Sequence, residues 1–277
     1  NIDFLGGVVV EGNHLLGFGD ELTQATLRFK RNDTVFITLR SRNFFIQENR
    51  ISSPYASVTI HHKNDSIYHS GLHMNYSDED DLLSFYRDEH GLTSNPLYDT
   101  YHQINMYVEA IYWDMNENRV RFDKALGRAK SSIAQFESFN YFSKDRFDKL
   151  QGIDAENPLL SLKHYSDNNS SKIVYFDEYA DHLKMPVEQV QLLLLKLAHQ
   201  GFLIYEANNG RAILGDKIDF YLQAYSGNID SDIFSLISRP YNSEANAYLE
   251  IDNFDLQING LDKIILSDSQ NLIIEPS

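Results

Sequence analysis

Histidine side chains are the first candidates for chemistry in this sequence. Four of the ten histidines lie close together in the chain, at His61, His62, His69 and His73. A turn at Ser70-Gly71 would place the last two on the strands of one hairpin, where imidazoles can converge on a metal ion. No motif that combines histidine with a carboxylate at zinc-ligand spacing accompanies them. We therefore interpret them as solvent-facing strand residues and predict no metal site.

Other sequence motifs of catalysis and cofactor binding are incomplete. The acidic run Asp78–Asp81 lacks the glycine and the terminal glutamate of a calcium loop, which favours a solvated turn. Gly17-Phe18-Gly19 lacks the third glycine of a dinucleotide-binding loop, and neither a phosphate-binding loop nor a serine nucleophile elbow occurs. The sequence has no cysteine, which removes disulfides, thiolate ligands and thiol nucleophiles. We expect no catalytic residue and no cofactor.

The overall charge argues against nucleic acid as a partner. Forty acidic and 24 basic residues give a formal net charge of −16, which repels a phosphate backbone or an anionic lipid surface over roughly a Debye length. With 42% hydrophobic residues the chain is too apolar for a disordered protein. No apolar run is long enough to predict a membrane span.

The pattern of apolar residues predicts a mixed, mainly β fold in three parts. Residues 1–142 alternate apolar and polar residues over short segments, which predicts an antiparallel β domain built as a meander or sandwich. Two similar hexapeptides, 32 residues apart, predict turns at Asn32-Asp33 and Asn64-Asp65. Residues 143–228 carry helical patterns. Strand signals return in residues 229–277, a C-terminal β segment that we interpret as the start of a further β domain.

The central part has the element order of a helix-turn-helix followed by a hairpin. Helices are predicted over Phe176–Leu183 and Val187–His199, separated by a turn at Met185-Pro186, and Gly201 ends the second helix. Two short apolar runs follow, joined through Asn209-Gly210. This pair best tolerates the positive φ angles of a tight primed turn.

This order resembles a winged-helix domain, in which the hairpin forms the wing. The first helix of such a domain would begin at Pro158, its first strand would lie near Lys172–Tyr175, and a helical tail would cover Lys217–Tyr225. The residues assigned to the wing are Asn208, Asn209, Gly210 and Arg211. The resemblance implies a central α+β winged-helix domain inside a β-rich chain.

A second resemblance concerns the order of motifs along the whole chain. The order of five motifs resembles that of large uncharacterised envelope-associated proteins of Gram-negative bacteria: Gly6-Gly7, Gly17-Phe18-Gly19, Phe147–Gly152, Met185–Val190 and Leu266–Asn271. This resemblance implies an exported, internal portion of a longer β-rich polypeptide, located in the periplasm or cell envelope. The opening at Asn1, without an initiator methionine, fits the same expectation.

The exposed face of the second predicted helix decides between DNA and protein as its partner. A helical wheel places the core stripe on one side and leaves four protein-contact candidates: Leu192, Leu195, Lys196 and His199. Residues 155–225 hold six basic and nine acidic residues, a net charge of −3. Because phosphate neutralisation supplies much of the affinity for DNA, this surface favours a protein partner.

We therefore expect a non-catalytic structural or protein-interaction module of a larger bacterial envelope protein. It would bind a protein partner or neighbouring domains of the same polypeptide. One alternative is a DNA-binding winged-helix regulator, which would place the chain in the cytoplasm. The other is a carbohydrate-active or carbohydrate-binding envelope protein, suggested by the aromatic residues of the β domain, since Tyr and Phe rings can stack on sugars.

Overall fold

The chain forms two compact units. The first consists of residues 1–135 and 238–261, and the second of residues 136–237 and 262–277. The structure, a computed structural model, describes residues 1–12, 14–19, 23–87, 95–126, 133–151, 157–229, 234–241, 244–267 and 272–276. The side chains of Glu11, Gln151 and Ser267 fall outside this description.

Strands make up most of the regular structure of the described residues. They are β1 (Ile2–Leu5), β2 (Gly7–Glu11), β3 (His14–Phe18), β4 (Ala25–Arg31), β5 (Thr34–Ser41), β6 (Asn43–Gln47), β7 (Arg50–His62), β8 (Asp65–Ser77), β9 (Leu82–Tyr86), β10 (Leu97–Asp99), β11 (Ile104–Tyr107), β12 (Ala110–Asp114), β13 (Arg119–Asp123), β14 (Ala134–Ser138), β15 (Ile173–Tyr175), β16 (Leu203–Glu206), β17 (Arg211–Leu214), β18 (Ser235–Ser238), β19 (Ala247–Glu250), β20 (Leu256–Ile258), β21 (Leu261–Ser267) and β22 (Leu272–Ile274). The helices are α1 (Lys144–Gln151), α2 (Pro158–Asn169), α3 (Phe176–Leu183), α4 (Val187–His199) and α5 (Lys217–Tyr225). The mainly β, antiparallel character predicted from the sequence is confirmed.

Two long strands organise the first unit. β7 and β8 pair with each other in antiparallel orientation, and each has different neighbours at its two ends. β7 pairs with β6 at one end and β5 at the other, while β8 pairs with β9 and β10 in the same way. The register of β7 against β8 shifts between Ser53 and Val58, where Pro54 has no N–H to donate. Both strands therefore belong to two layers of antiparallel sheet.

The two layers face each other across an aromatic core. The first layer runs β2–β3–β6–β7–β8–β9–β12–β13–β19–β20. The second runs β1–β4–β5–β7–β8–β10–β11. Rings from opposite layers meet between Phe36 and Trp113, with centroids 4.8 Å apart, and between Phe29 and Tyr76, at 5.5 Å. All four side chains are buried, and burying each contributes about 1.5–3 kcal/mol to holding the layers together.

Hairpin turns follow from local sequence in this unit. Asn32 and Asp33, between β4 and β5, both have positive φ angles, 49° and 61°, as a two-residue primed turn requires. The similar hexapeptide also lies at a hairpin turn, between β7 and β8. There the turn residues are Lys63 and Asn64 rather than Asn64 and Asp65, so the predicted position is wrong by one residue.

The turn predicted at Ser70-Gly71 is wrong, because β8 continues through both residues. Gly71 serves a different purpose: a Cβ added there would lie 2.1 Å from Cζ of Tyr55. The glycine therefore leaves space for an aromatic ring where the sequence pattern indicated a change of direction. Its neighbouring histidines consequently lie along one strand, not on two strands of a hairpin.

A late segment of the chain completes the first layer. β19 pairs with β13, where Val120 lies opposite Leu249, and β20 pairs with β19. Both of these apolar side chains are fully buried. The compact units therefore have different bounds from the predicted division into residues 1–142, 143–228 and 229–277, because residues 238–261 add strands to the N-terminal sheet.

The second unit contains residues 157–225, which we call the α+β region. Its first helix, α2, begins as the sequence predicts, with Pro158 at the first helical position. Asn157 caps it, since its Oδ1 accepts the N–H of Leu159. β15, β17 and β16 form a three-stranded antiparallel sheet. The fully buried core includes Leu162, Tyr179, Leu194 and Phe202. Among the described residues, none of the helices has the length and apolar character needed to cross a membrane.

The loop between β16 and β17 differs from the predicted primed turn. Residues 207–210 connect the strands, with Glu206 opposite Arg211. Gly210 has a φ of 61°, but Asn209 belongs to a 3₁₀ turn and has no positive φ. The chain thus uses a four-residue loop closed by a left-handed glycine, a common alternative to the two-residue turn.

Candidate interaction surfaces

An edge strand with an unpaired side lies at the beginning of the first layer. Among the described residues β2 pairs with β3 alone, from Gly7 opposite Phe18 to Glu11 opposite His14. Gly7 leaves room for the Phe18 ring, which would lie 2.7 Å from a Cβ added there. The three valines that follow favour an extended backbone, because β-branched side chains pack well on strands.

The valines of β2 are exposed on both faces of the sheet. Val8 is 51% exposed, Val9 44% and Val10 71%. Val8 shares a cross-strand row with the buried Phe44 and points to the inner face, whereas Val9 shares a row with the partly exposed Phe45 on the outer face. β2 therefore offers apolar side chains on each face beside an open backbone edge.

Such an edge is able to accept another strand. Proteins usually protect a long apolar edge with a charged residue, a proline or a covering element. The run Val8–Val10 contains neither a charged residue nor a proline. The geometry suits strand addition, in which backbone hydrogen bonds supply affinity and the side-chain rows supply selectivity.

The four contact candidates predicted on α4 differ in their exposure to solvent. Leu192 is 60% exposed and Lys196 is exposed, so both can reach a partner. Leu195 is half-buried and packs against the core of the α+β region, and His199 is half-buried as well. The helical wheel predicted the outer face of the helix but not the elements that cover its flank.

Among the loop residues predicted to form a wing, the positive charge of Arg211 is neutralised by Glu206. Arg211 Nε donates to Glu206 Oε2 at 2.6 Å, and Asn209 Nδ2 donates to the same oxygen at 2.9 Å. The hydrogen bond to Glu206 raises the pKa of Arg211. Asn208 is half-buried, Asn209 is exposed, and Gly210 supplies the left-handed backbone of the loop. The cation and the anion cancel each other at this loop.

Two lysines of the α+β region also form ion pairs. Lys163 Nζ lies 2.8 Å from Asp167 and 3.0 Å from Asp219. Lys172 forms an ion pair with Asp216. These acids compensate the positive charge that contact with a polyanion would need.

A buried ion cluster connects three elements of the second unit. Glu137, on β14, is fully buried and accepts hydrogen bonds from two cations. Arg146 of α1 donates through Nη2 to Oε1 at 2.5 Å, and Lys217 of α5 donates through Nζ to Oε2 at 3.2 Å. Lys217 Nζ also donates to the backbone oxygen of Gln200 at 3.1 Å. The cluster thus attaches α1 and α5 to β14.

Burial and charge act in opposite directions in this cluster. Burial raises the pKa of Glu137, but the charges of Lys217 and Arg146 outweigh burial and hold that pKa below its ordinary value. Burial lowers the pKa of Lys217 to about 8, with Glu137 opposing the shift and Arg146 adding to it. The cluster holds two cations and one anion, so the charge of Arg146 adds to the effect of burial on the pKa of Lys217. Since its amine is bonded to protein acceptors and buried, we assign the cluster a structural role.

The four histidines considered as metal ligands lie at separate positions on β7 and β8. His69 is buried, so the expectation that it faces solvent is wrong. Its Nδ1 accepts the N–H of Gly71 at 3.0 Å, and its Nε2 donates to the Asn95 carbonyl at 2.9 Å. His61 Nε2 lies 2.8 Å from Thr38 Oγ1. Within the described ranges, no group of three or more His, Asp or Glu residues could hold a metal ion.

Comparison with known proteins assigns no family to the chain. No protein-family model matches it, and no curated protein matches it. Among solved structures, it is similar to the crystal structure of LptH, the LptA homologous periplasmic component of the conserved lipopolysaccharide transport device from Pseudomonas aeruginosa. The identity is 10% and the TM-score 0.31, over 47% of this chain and 86% of that chain. At this TM-score the likeness transfers neither a function nor a partner.

The identification of a winged-helix, helix-turn-helix domain within a large envelope-associated protein is wrong. No family model supports it. The chain is mainly β, and antiparallel sheet is its largest body of structure. The identification depended on the order of elements in residues 157–225, and such an order fixes local structure without fixing a family.

Proposed function

We propose that this chain is a non-catalytic protein-interaction module that binds an extended segment of a partner protein by strand addition at β2. The observation that carries the proposal is that, within the part of the chain that the structure describes, one side of β2 has no paired strand and lies beside three exposed valines. An apolar edge of this kind costs solubility unless something covers it, because it can pair with other chains. Coverage by a specific partner turns that liability into a binding site.

The side chains of β2 define the chemistry of the partner. The run Val8–Val10 of β2 is apolar on both faces, so the incoming strand needs apolar residues at consecutive positions, as in a strand buried on both faces. The net charge of −16 favours a partner with basic residues, since complementary charge speeds and orients association. The proposed occupant is therefore an extended apolar segment with basic flanks.

A peptide titration tests this site. The probe is a fluorescent, capped octapeptide with four central β-branched residues between lysines, and the readout is anisotropy with the whole chain. We expect saturable binding that Val10→Lys weakens at least tenfold, because it places a charge on the edge strand. Leu126→Lys is the matched control: this residue is 66% exposed, lies outside the strands and receives the same charge.

Three outcomes contradict the strand-addition proposal. The first is no binding of the probe, and the second is an equal effect of the two lysine variants. The third comes from sedimentation velocity of the chain alone. A dimer that Val10→Lys dissociates and Leu126→Lys preserves would mean that the edge binds a second copy instead of a partner.

We further propose the outer face of α4 as a second protein contact. Leu192, at 60% exposure, and the adjacent Lys196 form its accessible part, and the loop 208–211 belongs to the same region of the chain. The wild-type chain should form crosslinks to its protein partner through this face, and Leu192→Asp should abolish them. Gln189→Asp, at an exposed position of the same helix, is the control. Unchanged crosslinking with Leu192→Asp would contradict this role.

The location and the DNA-binding alternative stay predictions with simple tests. A periplasmic or cell-envelope location predicts that the chain fractionates with envelope proteins of the source cells. A DNA-binding regulator would retard duplex DNA in gels at low salt and release it as salt rises. The paired cations Lys163, Lys172 and Arg211 favour the protein-interaction proposal over that alternative.

A further inference from the structure

A groove on the first layer combines charged and aromatic side chains. It encloses about 260 Å³, and its polar lining consists of Tyr112, Asp114, Glu117, Arg119, Arg121 and Tyr248. The register places Arg121 opposite Tyr112 on one side and opposite Tyr248 on the other. Trp113 packs on the core ring Phe36, so the neighbouring Tyr112 points to the outer face of the sheet. Three adjacent strands, β12, β13 and β19, therefore build one row of alternating rings and cations.

The two arginines are positioned by these rings. Cζ of Arg121 lies 4.6 Å from the centroid of the Tyr112 ring, and Cζ of Arg119 lies 4.4 Å from that of Tyr248. Tyr112 is itself fixed, since its hydroxyl donates to the carbonyl of Lys124 at 3.0 Å. Contact between a guanidinium and an aromatic face restrains the long arginine side chain. The donors are thus held in place before any ligand arrives.

The groove keeps unused hydrogen-bonding capacity. Arg119 Nε donates to Glu117 Oε2 at 3.0 Å, whereas Arg121 only approaches Asp123, at 3.8 Å. Asp114 accepts a backbone N–H through Oδ1. Within the described residues, the N–H groups of Arg121, Asp114 Oδ2 and Glu117 Oε1 have no protein hydrogen-bond partner. Donors and acceptors therefore both face the same small volume.

The balance of charge indicates the class of ligand. Two cations and two carboxylates line the groove, so neither an anion nor a cation gains a net attraction. A hydroxyl group both donates and accepts, so neighbouring arginines and carboxylates suit a ligand with several adjacent hydroxyls. Leu82 and the ring of Tyr248, both half-buried, offer apolar surface to the C–H faces of a sugar. The volume lies below the roughly 300–1,000 Å³ of drug-sized sites, so one or two rings of a saccharide fit inside the groove.

We propose that this groove is a binding site for a neutral carbohydrate. Arg119 and Arg121 donate to its oxygens, Asp114 and Glu117 accept from its hydroxyls, and Tyr248 packs against a sugar ring. The site binds without breaking a bond. It lies on the strands β12, β13 and β19, so it is independent of the edge β2 and of any strand added there.

An NMR titration of the whole chain tests the groove. The probes are cellotriose, maltotriose and triacetylchitotriose, with inorganic phosphate as the anionic probe. We expect at least one trisaccharide to shift the amide signals of Tyr112, Arg121 and Tyr248, and phosphate to shift none. Arg121→Met keeps apolar contact with Tyr112 but removes the donors, and it should weaken saccharide binding at least tenfold. Arg28→Met, at an exposed arginine of β4, should bind as the wild type does.

Each remaining outcome overturns the carbohydrate site. The proposal is wrong if no trisaccharide shifts these signals at millimolar concentration. It is also wrong if phosphate binds saturably at the same residues. Equal saccharide affinity of Arg121→Met and the wild type also overturns it. If Arg121→Met loses the dispersed spectrum of a folded protein, Asp114→Asn supplies the same test, since it removes one charged acceptor and keeps the shape of the side chain.

Discussion

Two of the places where charged side chains meet in this protein, the buried ion cluster and the groove, are built in opposite ways. In the buried ion cluster, Glu137 is withdrawn from water and bonded to both Arg146 and Lys217. In the groove, the side chains of Arg119 and Arg121 are 45% and 40% exposed and rest on tyrosine rings. The cluster uses its charges to join elements, whereas the groove holds charges with hydrogen-bonding capacity to spare.

The difference shows how burial decides the use of a charge. Removing a charge from water costs several kcal/mol, so a buried group persists only with partners that satisfy it. A half-exposed charged group stays largely hydrated, so folding costs little desolvation free energy. An exposed ion pair stabilises the fold by about 1 kcal/mol at most. The groove is therefore free to lose or exchange its pairs when a ligand binds, and the cluster is not.

The largest effect is expected from removing the anion of the cluster. Glu137→Ala leaves Arg146 and Lys217 without their shared partner, and we expect the free energy of unfolding to fall by about 3–5 kcal/mol. Urea denaturation followed by circular dichroism measures this loss. Glu117→Ala, the matched change in the groove, should cost no more than about 1 kcal/mol. Equal losses for the two variants would remove the distinction between the two places.

The second expected effect is a dependence of stability on pH. The pKa of Lys217 is about 8 in the folded chain and near 10.5 in the unfolded chain, so the unfolded state binds more protons between these values. Stability from this group therefore rises as pH increases through that window and is lost as pH falls through 8. Urea denaturation of the wild type at pH 8 and pH 9.5 measures the rise, and Lys217→Met is the control that should lack it. A wild type that parallels Lys217→Met would contradict the lowered pKa.

The smallest effect is expected from the groove itself. Arg121→Met removes a half-exposed cation over Tyr112, and an exposed cation–π contact contributes only about 0.5–1 kcal/mol. We expect the midpoint of urea denaturation to move little, while saccharide affinity falls. A loss of stability as large as that of Glu137→Ala would assign the arginine to the fold instead of to binding.

The sequence predicts those parts of the fold that depend on neighbouring residues. Pro158 starts α2, and the Asn32-Asp33 pair forms the turn between β4 and β5, because a ring constraint and two positive φ angles are local requirements. Gly71 misleads the prediction, since the glycine is needed to accommodate Tyr55, a residue from the neighbouring strand. The local pattern of the central helices is likewise insufficient to identify a fold family.

The candidate sites depend on residues that are distant in the chain. Glu137 and Lys217 are 80 residues apart, and Arg121 meets Tyr248 through the pairing of β13 with β19. No periodicity within one strand specifies such a pairing. A local signal did exist for one site, because the consecutive valines Val8–Val10 lack the alternation of a half-buried strand. Three consecutive valines do not show by themselves whether a strand lies at an edge, because that depends on which strands pair with it.

Amide hydrogen exchange at β2 tests the central claim most directly. Exchange of Val8, Val9 and Val10 is measured by mass spectrometry of the whole chain with and without the apolar octapeptide. Without the peptide these amides should exchange faster than those of β7, which has strands on both sides. With the peptide, strand addition predicts slower exchange at the outward-facing amides of β2. Unchanged exchange throughout residues 7–11 while the peptide is bound would contradict the proposal.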